Sequence, residues 1–354
     1  MNSNQPFSVD RYNLLAKKTG AEIITIGYST NKKPIEVLKK GSGKLKILFI
    51  SRIHGNEPAT TEALLEFFHE YNSNETELYG IYLSNPDGAS LYEKLWLKSP
   101  EPDWKNNFND ARLNANKIDI NRDWLNLSQI ETQTLQKFIL SLRPHFAADF
   151  HEFYWSDKGF PPKLPTDDED GFLATMTDAP FFYADKYVKG ISEQIMNFLT
   201  PKLENDFDWK IKPRHFIGQP KNEYTSPTFL GIYLALRGIP KLLVETWGVA
   251  CSTLFLDKRI SFHKKSMNYI LDWIQENKSK FILSPHISKS LEFEIDPSNS
   301  QQIDSFTKSL DLHKVSYKLE QNKIIVTCNS VEIGFVNTIH YLIYKREPIK
   351  NEKL

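Results

Sequence analysis

His54 and Glu57 stand three residues apart in Arg52-Ile-His54-Gly-Asn-Glu57, between a strand-like apolar run and a helix-like one. An imidazole nitrogen and a carboxylate oxygen at that spacing can both turn toward one metal ion. Zinc accepts both donors, and a catalytic zinc site needs three protein ligands with a further position open. His151 supplies a third donor, in Ala148-Asp149-Phe-His151-Glu152, again after a short apolar run. Arg122, in Lys117-Ile-Asp-Ile-Asn121-Arg122, carries the planar fork that recognises a carboxylate through two parallel hydrogen bonds. Arg112 lies upstream in the same polar stretch and can point a second guanidinium at the site. Glu245 ends the apolar run Lys241-Leu-Leu-Val-Glu245, where a buried carboxylate beside a metal-activated water can act as general base. Asp149 can orient His151 from behind or face away from it. Singly, each signal also fits an exposed loop pair, a surface ion pair or an ordinary strand-end carboxylate. Tyr224, in Asn222-Glu-Tyr-Thr-Ser-Pro227, alone reads as packing.

The elements that must hold these residues follow from periodicity. Leu45–Ile50 is a short β-rich apolar run, which predicts a buried central strand. Pro58–Tyr71 predicts a helix with proline in its first turn, so residues 52–57 form a strand-to-helix loop. Open α/β sheets place their ligands at such loops. Further strands are expected at Ile23–Gly27, Ile35–Leu38, Leu78–Leu83, Phe146–Phe150, Trp209–Lys212 and Ile239–Thr246. Helices are expected at Phe7–Lys18, Leu127–Leu142, Phe181–Phe198, Phe229–Leu236 and Leu256–Asn277. Asn85-Pro-Asp-Gly88 reads as a turn, and residues 98–123 as one long loop. After Ser284-Pro285 the texture changes. A helix at Ser298–Leu312 lies among strands at Ser290–Ile295, Val315–Leu319, Lys323–Cys328 and Ile339–Tyr344. The expected division is therefore a domain of residues 1–284 and a small β-rich accessory domain, 285–354.

Composition narrows the function classes. Lys+Arg and Asp+Glu both number 44, so there is no net charge to drive polyanion binding, and no nucleic-acid partner is expected. Two cysteines, Cys251 and Cys328, exclude a disulfide framework. The N-terminus lacks a basic and apolar leader, and no run reaches 18 apolar residues. A cytoplasmic protein without a membrane partner is the expectation.

The order of these motifs resembles the zinc carboxypeptidase family. The resemblance rests on HGNE after a strand, NPDG, Arg112-Leu-Asn-Ala-Asn-Lys-Ile-Asp-Ile-Asn-Arg122, DFHE, a tyrosine, and an apolar strand ending in Glu. It runs from about Phe7 to Lys280 and looks most like the shorter bacterial members, with a related branch of N-acyl amino acid deacylases. Asn116-Lys117-Ile118 and Asp123-Trp124 depart from the family pattern but flank the key pair without removing it. The resemblance implies an α/β fold, with a single mixed, mostly parallel twisted sheet flanked by helices, followed by a small C-terminal α+β domain. It implies one Zn2+ held by His54, Glu57 and His151, with Glu245 as general base. It further implies Arg112 as the arginine that polarises the scissile carbonyl, Asn121 and Arg122 as the grip on the terminal carboxylate, and Tyr224 as a mobile cover over substrate. The activity implied is a metallocarboxypeptidase.

Substrate identity stays open between ordinary peptides, peptidoglycan-derived peptides and N-acyl amino acids. A non-catalytic binding protein is the other class, and an intact Glu245 counts against it. Residues 153–178 carry six acids against two lysines, while Lys210, Lys212 and Arg214 make a basic stretch. The acidic segment is expected to rim the mouth of the site.

Overall fold

The computed structural model describes residues 6–100, 109–153, 174–178, 183–213, 227–249, 251–282 and 287–344. Helix α1 (Val9–Lys18) begins at Ser8, whose hydroxyl accepts from the Arg11 amide, with Asp10 in its first turn and Lys17 and Lys18 in its last. β1 (Glu22–Tyr28) and β2 (Pro34–Lys40) pair antiparallel. β3 (Leu45–Ser51) is buried along almost its whole length, as its unbroken apolar run demands. α2 (Pro58–Glu70) has its proline at the first position and buries Ala63, Leu64, Phe67 and Phe68. β4 (Thr76–Ile81) comes next in the chain.

Asn85-Pro86-Asp87-Gly88 does not form an isolated turn. It opens α3 (Pro86–Lys98), with the Asn85 side chain accepting from the Gly88 amide at 2.9 Å. Turn and helix start use the same chemistry, an Asn oxygen and a proline of fixed φ, and the helix continues because Ala89 and Tyr92 find a buried face. The long loop carries two short 3-10 turns, Asn109–Arg112 and Ile120–Arg122.

Then come α4 (Ile130–Leu142), β5 (Phe146–Phe153), β6 (Ala174–Thr177), α5 (Lys186–Phe207), β7 (Ile211–Pro213), α6 (Leu230–Leu236), β8 (Lys241–Trp247), α7 (Leu256–Glu276) and α8 (Lys278–Ile282). Sequence periodicity misses β6, whose four residues are too short to show a pattern. The eight-stranded sheet runs β1-β2-β4-β3-β5-β8-β6-β7. Its centre, β4-β3-β5-β8, is parallel, and antiparallel pairs flank it. Alternate residues of β3 enter different cores. Leu45, Ile47 and Phe49 meet α1, α2, α5 and α7, while Leu48 and Ile50 face α4 and α6.

A second sheet, β10-β11-β9, is antiparallel. It comprises β9 (Ser288–Glu294), β10 (Ser316–Glu320) and β11 (Lys323–Asn329), with α9 (Ser300–Leu312) and α10 (Ile333–Tyr344). Residues 339–344, expected as a strand, are helix. Phe335, Val336 and Ile339 are buried at helical spacing, and that period overrides the β-branched composition. This unit shares the core of α4 and α6 rather than standing apart. Arg237 joins them, paired with Glu332 at 2.8 Å and donating to the His313 carbonyl at 2.8 Å. His313 Nε2 lies 3.0 Å from the Leu125 carbonyl.

Candidate active site

The C-terminal ends of β3, β5 and β8 lie side by side and bring the candidate residues together. His54 and Glu57 occupy the loop from β3 to α2, and His151 sits within β5. β5 runs further than its apolar run alone indicates, so His151 lies inside the strand and not beyond its end, while Glu245 lies inside β8 as expected. They are register partners across the parallel β5–β8 pair, which places both side chains on one face of the sheet.

His54, Glu57 and His151 are all buried, and their ligand atoms lie within 4.8 Å of one another. His54 Nδ1 is 2.7 Å from Glu57 Oε1, and His151 Nδ1 is 3.0 Å from Glu57 Oε2. The two Nδ1 atoms are 3.1 Å apart. Each outer nitrogen meets a carboxylate. His54 Nε2 is 3.1 Å from Asp119 Oδ1, and His151 Nε2 is 2.9 Å from Asp149 Oδ2. An imidazole backed by a carboxylate has its ring orientation fixed and its basicity raised, as metal ligands require. Two imidazoles and a carboxylate, buried and converging, suit zinc. Asp149 thus lies on the His151 side of β5 and does not face away from it.

Burial would raise the Glu57 carboxyl, but His54 and His151 hold it well below the usual carboxylate range. Burial would also depress His151, and Asp149 and Glu57 overcome this to push it well above an ordinary imidazole. Asp119 is held low, against its burial, by His54, Arg112 and Arg122.

The arginine loop closes one side. Arg112 Nε donates to Asp119 Oδ2 at 3.1 Å, and its Nη1 reaches Glu57 Oε1 at 3.4 Å. Asn121 Oδ1 accepts from the Leu230 amide at 2.9 Å, which turns Nδ2 toward His151 Nε2, 3.5 Å away. Arg122 is more open, its guanidinium carbon 4.0 Å from the centre of the Phe229 ring and its Nη1 donating to the Asn121 carbonyl. The loop is wedged in place by glycines. A Cβ on Gly55 would meet the Gly88 backbone at 2.1 Å and the Ala111 oxygen at 2.4 Å, and one on Gly88 would meet the same oxygen at 2.6 Å.

Beneath the metal triad lies charge that no sequence motif announces. The Glu152 amide donates to Glu57 Oε2 at 3.0 Å, while the Glu152 side chain accepts from the Ala59 amide and pairs with the fully buried Arg259. Asp119, given no role from sequence, joins Arg112 to His54. Its sole sequence signal is its place two residues before Asn121. Lys241, on the same face of β8 as Glu245, donates to the Thr177 carbonyl at 2.9 Å, and burial brings its ammonium down to about 8. Tyr224, Trp155, Arg214 and most of the acidic segment lie outside the described residues.

Comparison with known proteins agrees with this geometry. Residues 13–153 match the zinc carboxypeptidase family. The chain is 31% identical over 138 residues to carboxypeptidase 2 of Trichophyton tonsurans, covering 38% of this chain and 23% of that protein. It is 32% identical to the uncharacterized protein YqgT of Bacillus subtilis (strain 168), over 30% of this chain and 35% of that protein. The chain thus spans about a quarter to a third of the length of these curated relatives. A metallo-carboxypeptidase from Burkholderia cenocepacia superposes with a TM-score of 0.56 at 12% identity, over 77% of this chain and 70% of that one. A metallo-carboxypeptidase from Pseudomonas aeruginosa, in complex with (2-guanidinoethylmercapto)succinic acid, gives 0.53 at 16% over the same shares. At such identities the likeness is one of fold. The candidate triad and the arginine loop both fall inside the residues that match the zinc carboxypeptidase family.

Proposed function

We propose that the protein is a zinc-dependent metallocarboxypeptidase that hydrolyses a peptide bond next to a free C-terminal carboxylate. The observation that carries this reading is the buried His54–Glu57–His151 triad with Glu245 as the cross-strand register partner of His151. Zinc held by the triad supplies a Lewis acid that polarises the carbonyl and lowers the pKa of water toward about 7.

The chain's own residues do the rest. Arg122 and Asn121 grip the terminal carboxylate, which sets which bond reaches the site and makes the enzyme an exopeptidase. Glu245 takes a proton from the attacking water as its oxygen bonds to the carbonyl carbon. Arg112 stabilises the charge that develops on the carbonyl oxygen. The carbon–nitrogen bond then breaks, and Glu245 returns the proton to the departing amine. The products are a shortened peptide and a free amino acid. Tyr224 is assigned as the cover over bound substrate. The C-terminal unit is read as an accessory to the catalytic part, joined to it through Arg237. A cytoplasmic location belongs to the same proposal, supported by two cysteines that remain free thiols. No helix among the described residues is long and apolar enough to cross a membrane.

The test is amino acid release from a peptide panel, each peptide offered with a free and with an amidated C-terminus, beside an N-acyl amino acid panel. Cleavage confined to free carboxyl ends, and reduced about 10²–10⁴-fold in Glu245→Gln, is expected. Equal turnover of amidated peptides, or full activity in Glu245→Gln, would sink the reading.

A further inference from the structure

Arg52 immediately precedes the metal loop and is fully buried. Its backbone sits at φ 58°, a left-handed conformation that costs energy for any residue with a Cβ. Neighbours on both sides hold it there. Its amide donates to Thr60 Oγ1 at 3.2 Å, and its carbonyl accepts from the Asn85 amide at 3.0 Å. The side chain then turns back under the loop, and Nε donates to the Gly55 carbonyl at 2.9 Å. Gly55 lies between the two ligands His54 and Glu57.

A buried guanidinium normally answers to a carboxylate. Here Nη1 and Nη2 have no hydrogen-bond partner among the described residues. The charge is instead set against two aromatic rings, with the guanidinium carbon 5.7 Å from the centre of Tyr12 on α1 and 5.5 Å from that of Tyr92 on α3. Ring quadrupoles stabilise a desolvated cation, and the flat, weakly hydrated guanidinium suits such a slot where an ammonium does not. The rings are themselves braced, since Phe7 packs edge-on against Tyr92 at 5.3 Å.

These contacts form one continuous chain from the N-terminal helix to the metal site. We infer that Arg52 is a positioning residue for the metal. Clamped between Tyr12 and Tyr92, it holds the Gly55 carbonyl so that His54 and Glu57 converge before metal arrives. The inference rests on the zinc reading above and assigns to Tyr12 on α1 and Tyr92 on α3 a part in metal affinity. A carboxylate partner for Arg52 would have balanced its charge equally well. It would also have put a competing anion beside the ligands, and the two neutral rings avoid this.

The experiment measures zinc affinity by chelator competition for wild type, Arg52→Lys, Arg52→Met, Tyr12→Phe and Tyr12→Leu, with the melting temperature of each metal-free protein alongside. Wild type binding one zinc per chain, lost in His151→Ala, establishes the site itself. Absence of that zinc overturns the zinc reading, whereas the Arg52 and Tyr12 variants bear on the positioning role alone. Arg52→Lys and Arg52→Met are expected to bind zinc about 10–100-fold more weakly, with activity restored by excess zinc. A merely structural role would lower the melting temperature without such rescue. Tyr12→Phe keeps the ring and should match wild type, whereas Tyr12→Leu should resemble the Arg52 variants. Should the Arg52 variants not fold, the Tyr12 pair decides alone. Zinc affinity within twofold of wild type in the folded variants that lack the clamp or the ring would overturn the inference.

Discussion

Glu152 and Arg259 form an ion pair that neither residue shares with solvent, and it joins β5 to α7. Arg259 also donates to the carbonyls of Ser252 and Leu254, at 2.6 and 3.1 Å. A Cβ on Gly248 would meet Glu152 Oε1 at 1.8 Å, so only glycine lets the pair close there. β5 and β8 are thereby fixed against each other from behind the site.

Removing one member leaves a buried charge without its partner, which costs about 3–5 kcal/mol. Arg259→Met is therefore expected to lose stability on that scale in denaturant titration. Glu152→Gln should lose at least as much, because it leaves the Arg259 guanidinium buried and charged without a carboxylate, whereas burial raises the Glu152 carboxyl and lets it turn neutral when Arg259 is removed. A loss below about 1 kcal/mol for Arg259→Met, against the range expected for a broken buried pair, would show the pair to be unimportant.

Asp119 touches His54 and Arg112 with separate oxygens, at 3.1 Å each. Asp119→Asn keeps the shape and removes the charge that orients both. Zinc affinity should fall about 10–100-fold, and kcat should remain below wild type even at saturating zinc, because Arg112 is also released. Recovery of full kcat with zinc would confine Asp119 to His54.

Zinc bound only by the folded protein stabilises it by mass action. At a zinc concentration about 100 times Kd the gain is about 2.7 kcal/mol, which in a chain of this size raises the melting temperature by roughly 3–4 °C. Chelation should remove that increment and the activity together. An unchanged melting temperature with a strong chelator would count against a metal at the triad.

Acid should weaken the junction with the C-terminal unit. Burial depresses His313 from 6.5 to about 4. The folded state thus prefers the neutral ring, and its contribution is complete above pH 6.5. It is lost as pH falls from there toward 4, by roughly 3 kcal/mol in all at about 1.36 kcal/mol per unit. Denaturation at about pH 7 and about pH 4.5, on either side of most of that window, should differ accordingly. His313→Gln, neutral throughout, should shrink the difference, and the same pH dependence in that variant would exclude His313 as its source.

The proposed metal ligands are legible in the sequence because each belongs to a short local pattern. His54 and Glu57 share one loop, and His151 comes after an apolar strand. β3 and α2 are legible for the same reason, with an unbroken apolar run and a proline-started amphipathic one. The partners of those ligands are not. Arg259 meets Glu152 across 107 residues of chain, and no spacing rule links them. The start of α3 is hidden because Asn85-Pro86 serves turns and helix caps alike. α10 reads as a strand because Ile-His-Tyr-Leu-Ile-Tyr alternates in type, while the buried positions Phe335 and Val336 that set its helical period lie further upstream. The attachment of the C-terminal unit is equally hidden, since it depends on Arg237 and His313, residues that look ordinary in isolation.

The glycine contact between positions 55 and 88 has a consequence for anyone recombining this protein. Backbone touches backbone there, with the Ala111 carbonyl as a third party, so the segments around 52–57, 85–89 and 109–114 behave as one part with three chain crossings. A chimera that imports one of them from a relative would inherit a misfit at the other two. The exchangeable unit is the set, and diversity aimed at new substrates belongs at the solvent-facing tip around Asn116 and Lys117, where the set does not touch itself.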